Sequence, residues 1–252
     1  MKDFTIDTYE KLLDAFQGNG FSFDRISNYP VDLKPKKIYL RHDVDDLHLN
    51  SLKFAQIQYD RGIVGTYYFR MVPESYNKDV IKEIAGMGHE IGYHYEDMDF
   101  ANGDPEKAIS FFENHLQSLR EISSITSICM HGSPRSKFDN KAVWNHYNYK
   151  DYGILIEPYF DFDFDKVFYL TDTGRRWDGF KVSVRDKVKT TVKWPEYNST
   201  YEIIKSIREK RFPEIALLNF HPQRWTNDMF MWTSELVRQT IKNKIKHYFF
   251  VK

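Results

Sequence analysis

Residues 38–50 read IYLRHDVDDLHLN, and how this stretch is parsed decides the fold. Ile38, Tyr39 and Leu40 open as a buried strand. The chain then turns abruptly to Arg41, His42, Asp43, Asp45, Asp46 and His48, packed around a single valine. An apolar run ending in acids and imidazoles is how the carboxyl end of a strand reads in a parallel α/β fold, where the following loops build the site. Three more stretches obey the same rule: HEIGYHYED at 89–97, SICMHGSPRS at 127–136 and LLNFHPQRW at 217–225. The four are far apart in sequence, and a barrel would bring them to one rim.

The rest of the chain fits that scaffold. Strand-like runs at Lys37–Leu40, Val64–Phe69, Glu90–Tyr93, Ser127–Met130, Gly153–Ile156, Val167–Leu170 and Ile215–Phe220 alternate with segments of helical period. The helices are expected near Leu49–Arg61, Lys78–Met87, Pro105–Ile122 and Thr200–Lys210, with Asp104-Pro105-Glu106 as a capped start. Gly62, Gly86 and Gly88 fall where helices should stop. Strands separated in this way imply right-handed βαβ units. The predicted fold class is α/β, a distorted (β/α) barrel with about seven parallel strands, in a single domain over 1–252 with its core at about 37–225. Asp161–Val192 breaks the rhythm with DFDFD and KVSVRDKV, and reads as an excursion or hairpin over one barrel mouth.

Composition narrows the function. The chain has 252 residues, with 36 Lys+Arg against 36 Asp+Glu, so no global field recruits nucleic acid. One cysteine, Cys129, excludes an internal disulfide and suits a reducing compartment. Met1-Lys2-Asp3 leads into an amphipathic segment and not a signal-peptide core, and no run is long enough to span a membrane. A cytoplasmic location is expected. Aromatics make up 17% of residues, most of them expected in the core and a minority along a sugar cleft.

Each polar cluster has an ordinary explanation taken singly. Asp45 and Asp46 could cap the next helix, His94 could be a core histidine, and the residues after His131 and His221 could simply turn the chain. Together these leave three strand-end histidines and an acid cluster as coincidence, which a site explains better. Histidine and carboxylate from separate strands suit a divalent ion such as zinc with one open position. A spare carboxylate and a spare histidine then complete a kit for hydrolysing an amide or ester.

IYLRHDVDD, MGHEIGYHYED and LLNFHPQRW, in this order and spacing, resemble the polysaccharide deacetylase (NodB-homology) superfamily of carbohydrate esterases. The resemblance runs from about Lys37 to Trp225 and implies a distorted barrel, a divalent metal, usually zinc, and a carbohydrate or sugar-conjugate substrate. It makes His94 a metal ligand and His221 the general acid. The superfamily's first motif ends in adjacent aspartates, base then ligand. Here the strand aligns Asp43 with the base and Val44 with the ligand, so Asp45, on the same face as Asp43, is the substitute ligand. The other register makes Asp45 the base and Asp46 the ligand; the first is preferred. Where a second histidine is usual, four residues after His94, stands Met98, so His131 is taken as the third ligand in preference to His89. TDTGRRWDG places Asp172, Arg175, Arg176 and Trp177 near the pocket, with Arg135 and Trp225, and paired arginines suit an anionic handle on the substrate.

The expected function is thus removal of an acetyl or formyl group from an amino sugar, on a precursor of a surface glycan. The rivals are a carbohydrate-binding barrel without chemistry, for which Val44 and Met98 speak, and a hydrolase of a non-sugar C–N bond.

Overall fold

The computed structural model describes residues 2–31, 34–133, 136–178 and 186–249. Seven strands form one parallel sheet: β1 Ser22–Asp24, β2 Lys37–Val44, β3 Thr66–Phe69, β4 Glu90–Tyr95, β5 Ile128–Met130, β6 Phe168–Thr171 and β7 Ile215–Phe220. The order is β5-β4-β3-β2-β7-β6, with β1 beside β2. β1 pairs with the first half of β2 and β3 with the second half, so two strands share one edge end to end. Past β5 the sheet continues only as the Ser127–Ile156 bridge. The barrel is distorted and open between that bridge and β6 among the described residues.

The strand count agrees with the prediction but its membership does not. Gly153–Ile156 is a single bridge, and Ser22–Asp24, too short to show alternation, supplies the seventh strand. The helices are α1 Ile6–Gly18, α2 His48–Tyr59, α3 Lys78–Gly86, α4 Asp97–Phe100, α5 Pro105–Arg120, α6 Pro158–Asp161, α7 Thr200–Arg208 and α8 Met229–Phe249. Asp104 caps α5 as predicted, accepting from the amides of Glu106 at 3.1 Å and Lys107 at 3.2 Å. α2 starts differently: its cap position is Leu47, in the left-handed region at φ 51°, and Asp46 only accepts from the Leu47 amide.

Period-two alternation sorts the strand residues into two layers. Ile38, Leu40, Val44, Tyr67, Phe69 and Ile91 face outward into the layer shared with the helices. Tyr39, Tyr68, Cys129 and Leu217 face inward and pack with Phe162 and Val167 inside the barrel. Arg41 and Asp43 share the inward face of Tyr39, while His42 points out. There His42 stacks on Tyr67, donates from Nδ1 to the Thr66 carbonyl at 3.1 Å and meets Gln58 at 2.8 Å. Burial pushes its pKa down to about 3, so it is a neutral core residue.

Candidate metal centre

All strands run the same way, so their carboxyl ends meet at one rim, and Asp43, Asp45, His94, His131 and His221 converge there. One ligand atom each from Asp45, His94 and His131 lies within 4.8 Å of the other two. His94 Nε2 is 3.5 Å and His131 Nε2 3.8 Å from Asp45 Oδ1. Two ligands around one tetrahedral zinc sit about 3.4 Å apart, so the spacing fits a single ion.

The imidazoles are oriented from behind. His94 Nδ1 donates to the Cys129 carbonyl at 2.8 Å, its register partner across β4 and β5. His131 Nδ1 donates to Glu96 at 2.8 Å, and Glu96 is gripped in turn by Arg70 at 2.9 Å through Nε and Nη2. In both rings the Nε2 lone pair is therefore left to face Asp45, the arrangement that a metal-binding histidine needs. Asp45 Oδ1 is buried without a hydrogen bond, an acceptor that a cation would satisfy. Asp43 and His94 side chains are only 5% and 2% exposed, but Asp45 and His131 keep 22% and 15%, so the cluster opens to solvent on their side.

Two further groups flank the cluster. Asp43 accepts both Nε and Nη2 of Arg41 at 2.7 Å and Asn219 Nδ2 at 3.0 Å. Burial would raise its carboxyl, but Arg41, with His94 and His221, pulls it down to about 2. The Asp45 carboxyl, which burial would also raise, is drawn well below the usual range by His94, His221 and His131. Burial opposes charge on His94, yet Asp43 and Asp45 lift its pKa above that of an ordinary imidazole. His221 Nε2 stands 3.9 Å from Asp43 and 3.7 Å from Asp45, while its Nδ1 donates to Asp172 at 2.5 Å.

Several expected site residues lie elsewhere. Trp225 is buried among Phe4, Tyr9 and Phe220, with Nε1 donating to Asp172 at 2.7 Å. Trp177 is buried and donates to Thr200. Both are core residues because a strand-end loop folds back under its own rim. Arg175 reaches α8, donating to the Trp232 carbonyl at 2.7 Å with its guanidinium over that ring, and Arg176 is held by Asp178. Arg135 lies outside the described residues. Met98 is a buried core residue, and His89 bonds the Ala55 carbonyl and the Gly65 amide at the far end of β4.

Arg41 enters the sequence reading only as part of the polar run after Leu40, with no role of its own, and Glu96, Arg70, Asn219 and Gln223 do not enter it as site residues. Arg41 and Asn219 had a readable signal, since each is two residues before a site residue on the same strand face. Glu96 and Arg70 had none. Among the described residues, no aromatic side chain lines the cavity of about 350 Å³ beside Asp45. A larger groove of about 730 Å³ runs past Ile215, at the opposite end of β7 from the histidines.

No family model and no curated protein matches the chain. Solved structures give distant likenesses. A family 4 carbohydrate esterase from Bacillus anthracis is 17% identical, with 90% of this chain and 91% of that one covered, at TM-score 0.44. PdaA, a family 4 carbohydrate esterase of Bacillus subtilis, is 12% identical over 92% and 84%, at TM-score 0.44. An activity-restored mutant of a CE4 family pseudoenzyme is 13% identical at TM-score 0.43; 84% of this chain aligns, and it spans 63% of that protein's length. The solved structures named here are two family 4 carbohydrate esterases and a variant of a CE4 family pseudoenzyme, and the likeness assigns no role to any side chain of this chain.

Proposed function

We propose that this chain is a metal-dependent hydrolase that removes an acyl group, acetyl or formyl, from an amino sugar. The observation that carries the reading is the convergence of Asp45, His94 and His131 within 4.8 Å, each imidazole fixed through Nδ1, with Asp43 and His221 beside them. Asp45, His94 and His131 would hold the ion, taken as zinc, which supplies Lewis acidity towards the acyl carbonyl and acidifies water.

The remaining steps belong to the protein. Asp43, kept ionised by Arg41, accepts a proton from the attacking water on Oδ2, the oxygen nearest to His94 and His221. Asn219 and the Arg41 fork fix the carboxylate plane so that no reorientation precedes the transfer. His221, held by Asp172 with Nε2 towards the rim, delivers a proton to the departing nitrogen. The finer parts of the proposal are one catalytic domain, a glycan precursor as substrate and a cytoplasmic location. No helix among the described residues is long and apolar enough to cross a membrane.

A second reading, a carbohydrate-binding barrel without chemistry, is favoured by Val44 and Met98, both buried in the core where the resembling motifs place ligands. One experiment separates the two: elemental analysis of the purified protein beside release of acetate or formate from acylated amino sugars. Stoichiometric metal with acyl release supports the hydrolase. Glycan binding by a metal-free protein without release overturns it.

A further inference from the structure

We propose that the cavity between the rim and α8 is an anion subsite, which recognises a phosphate ester carried by the sugar substrate. The proposal rests on the hydrolase reading for the position of the reacting acyl group and adds the substrate's charge. The cavity, about 350 Å³, starts at Asp45 and ends on α8. Its wall carries four cations, Arg70, Arg224, Arg238 and Lys242, against the carboxylates of Asp45, Asp46 and Glu74. A divalent ion on Asp45 would tip this balance further towards positive. Among the described residues, the lining is otherwise Gln223 and Gln239, with no apolar side chain to receive the face of a neutral sugar ring.

The guanidinium groups are fixed from behind by carboxylates that do not line the cavity. Glu96 holds Arg70, Asp172 accepts from Arg224 Nη1 at 3.1 Å, and Glu235 accepts from Arg238 Nε at 2.6 Å. Each fork is thus immobilised with donors to spare, which lowers the entropic cost of gripping a planar or tetrahedral oxyanion. Arg224 is 91% buried, being only 9% exposed, and its Nε has no hydrogen bond. Arg224 lines the cavity, so an anion there would lie beside its buried guanidinium and offset its charge at short range. Arg238 and Lys242 are one turn apart on α8 and so present their charges to the same space. Several clustered cations suit a phosphate, with close to two charges, better than a single carboxylate.

The test is calorimetry on the zinc-loaded protein with N-acetylglucosamine, its 1-phosphate, a nucleoside diphosphate conjugate of the same sugar, and inorganic phosphate. The 1-phosphate or the diphosphate conjugate should bind at least about tenfold tighter than the neutral sugar, the worth of one charge-assisted contact. Whichever ester shows the larger gain identifies the phosphate source. In R238Q/K242Q the gain should fall below about threefold with zinc content unchanged, and K242Q alone should lose part of it. Equal affinity for neutral and phosphorylated sugars in the wild type overturns the subsite. So does a gain that survives in R238Q/K242Q, because the α8 wall of the cavity would then contribute nothing to anion binding. Phosphate preference without acyl release from any of these sugars would overturn the hydrolase and leave the subsite standing; release without preference would do the reverse.

Discussion

Arg41 and Asp43 stand two residues apart on one face of β2 and hold each other through two contacts of 2.7 Å. Alternation along a strand makes this pairing possible, and burial makes it strong, with the Arg41 side chain 1% exposed. Asp43 is thereby fixed as an anion beside the proposed ligand cluster of Asp45, His94 and His131. Asp43→Asn should keep the metal and lower acyl release by at least about 10²-fold. It should also cost roughly 3–5 kcal/mol of stability, because Arg41 is left without its counter-charge. Metal analysis, turnover and urea unfolding of one preparation check all three; loss of metal in this variant would make Asp43 a ligand.

The ligand set makes its own demand. His94→Ala, His131→Ala and Asp45→Asn should each strip the metal. Glu96→Gln touches no ligand atom of the proposed ion, yet it weakens the bond that orients His131, and should reduce metal affinity about 10- to 100-fold. Competition with a chromophoric chelator measures this. Asp45→Asn that retains metal but loses turnover would favour the register with Asp45 as base.

The carboxyl-end rule explains why this much could be read from sequence. Asp43, Asp45, His94, His131 and His221 each follow an apolar run, and a parallel sheet turns that one-dimensional pattern into a common rim. Trp177 and Trp225 were misplaced because a tryptophan in a strand-end loop reads alike whether it lines a cleft or folds beneath it. Here Asp172 draws Trp225 inward by accepting its indole N–H. α8 carried no strand-like pattern and drew no expectation, although it walls the cavity beside Asp45. Glu96 reaches His131 from a different segment, 35 residues away, and no local spacing announces such a partner.

Gly92 is needed for the inner layer. It lies opposite Tyr68 in the β3–β4 register, and a Cβ there would come within 2.3 Å of Tyr68 Cε1 and 3.0 Å of Ser127 Oγ. Tyr68 is fully buried beneath Arg41 and cannot swing away freely. Gly92→Ala should therefore destabilise the fold by roughly 1–3 kcal/mol. Thermal unfolding checks it, and a melting temperature unchanged from wild type would mean that the Tyr68 ring has room to move.

Acid should act on the Arg41–Asp43 pair in a defined window. The folded Asp43 carboxyl is depressed to about 2 from 3.8. Its contribution is thus complete above the unfolded value and is lost as pH falls from about 4 through 2, amounting to roughly 2 kcal/mol in the metal-free protein. Other acids titrate over the same range, so the comparison is between wild type and Asp43→Asn. Their difference in urea midpoint should be constant above pH 5 and shrink below pH 4. A difference that stays level to pH 2.5 would mean that the pair is broken in solution.

Asp172 is fully buried and its carboxylate accepts four bonds: from His221 Nδ1 at 2.5 Å, the His221 amide at 3.0 Å, Arg224 Nη1 at 3.1 Å and Trp225 Nε1 at 2.7 Å. An asparagine cannot accept on its nitrogen side, so Asp172→Asn must abandon either the imidazole or the indole. If the imidazole is abandoned, His221 loses the partner that keeps its proton on Nδ1, and Nε2 no longer faces Asp43 in the right state. Turnover should fall on the order of 10²–10⁴-fold, as expected for a general acid in the wrong tautomer. The metal should remain, since Asp172 contacts none of Asp45, His94 or His131. A purely structural role would lower stability without changing the pH–rate profile of the surviving activity. A proton-delivering His221 instead requires the limb of that profile belonging to the acid to shift, and an unshifted profile at wild-type turnover would remove His221 from the chemistry.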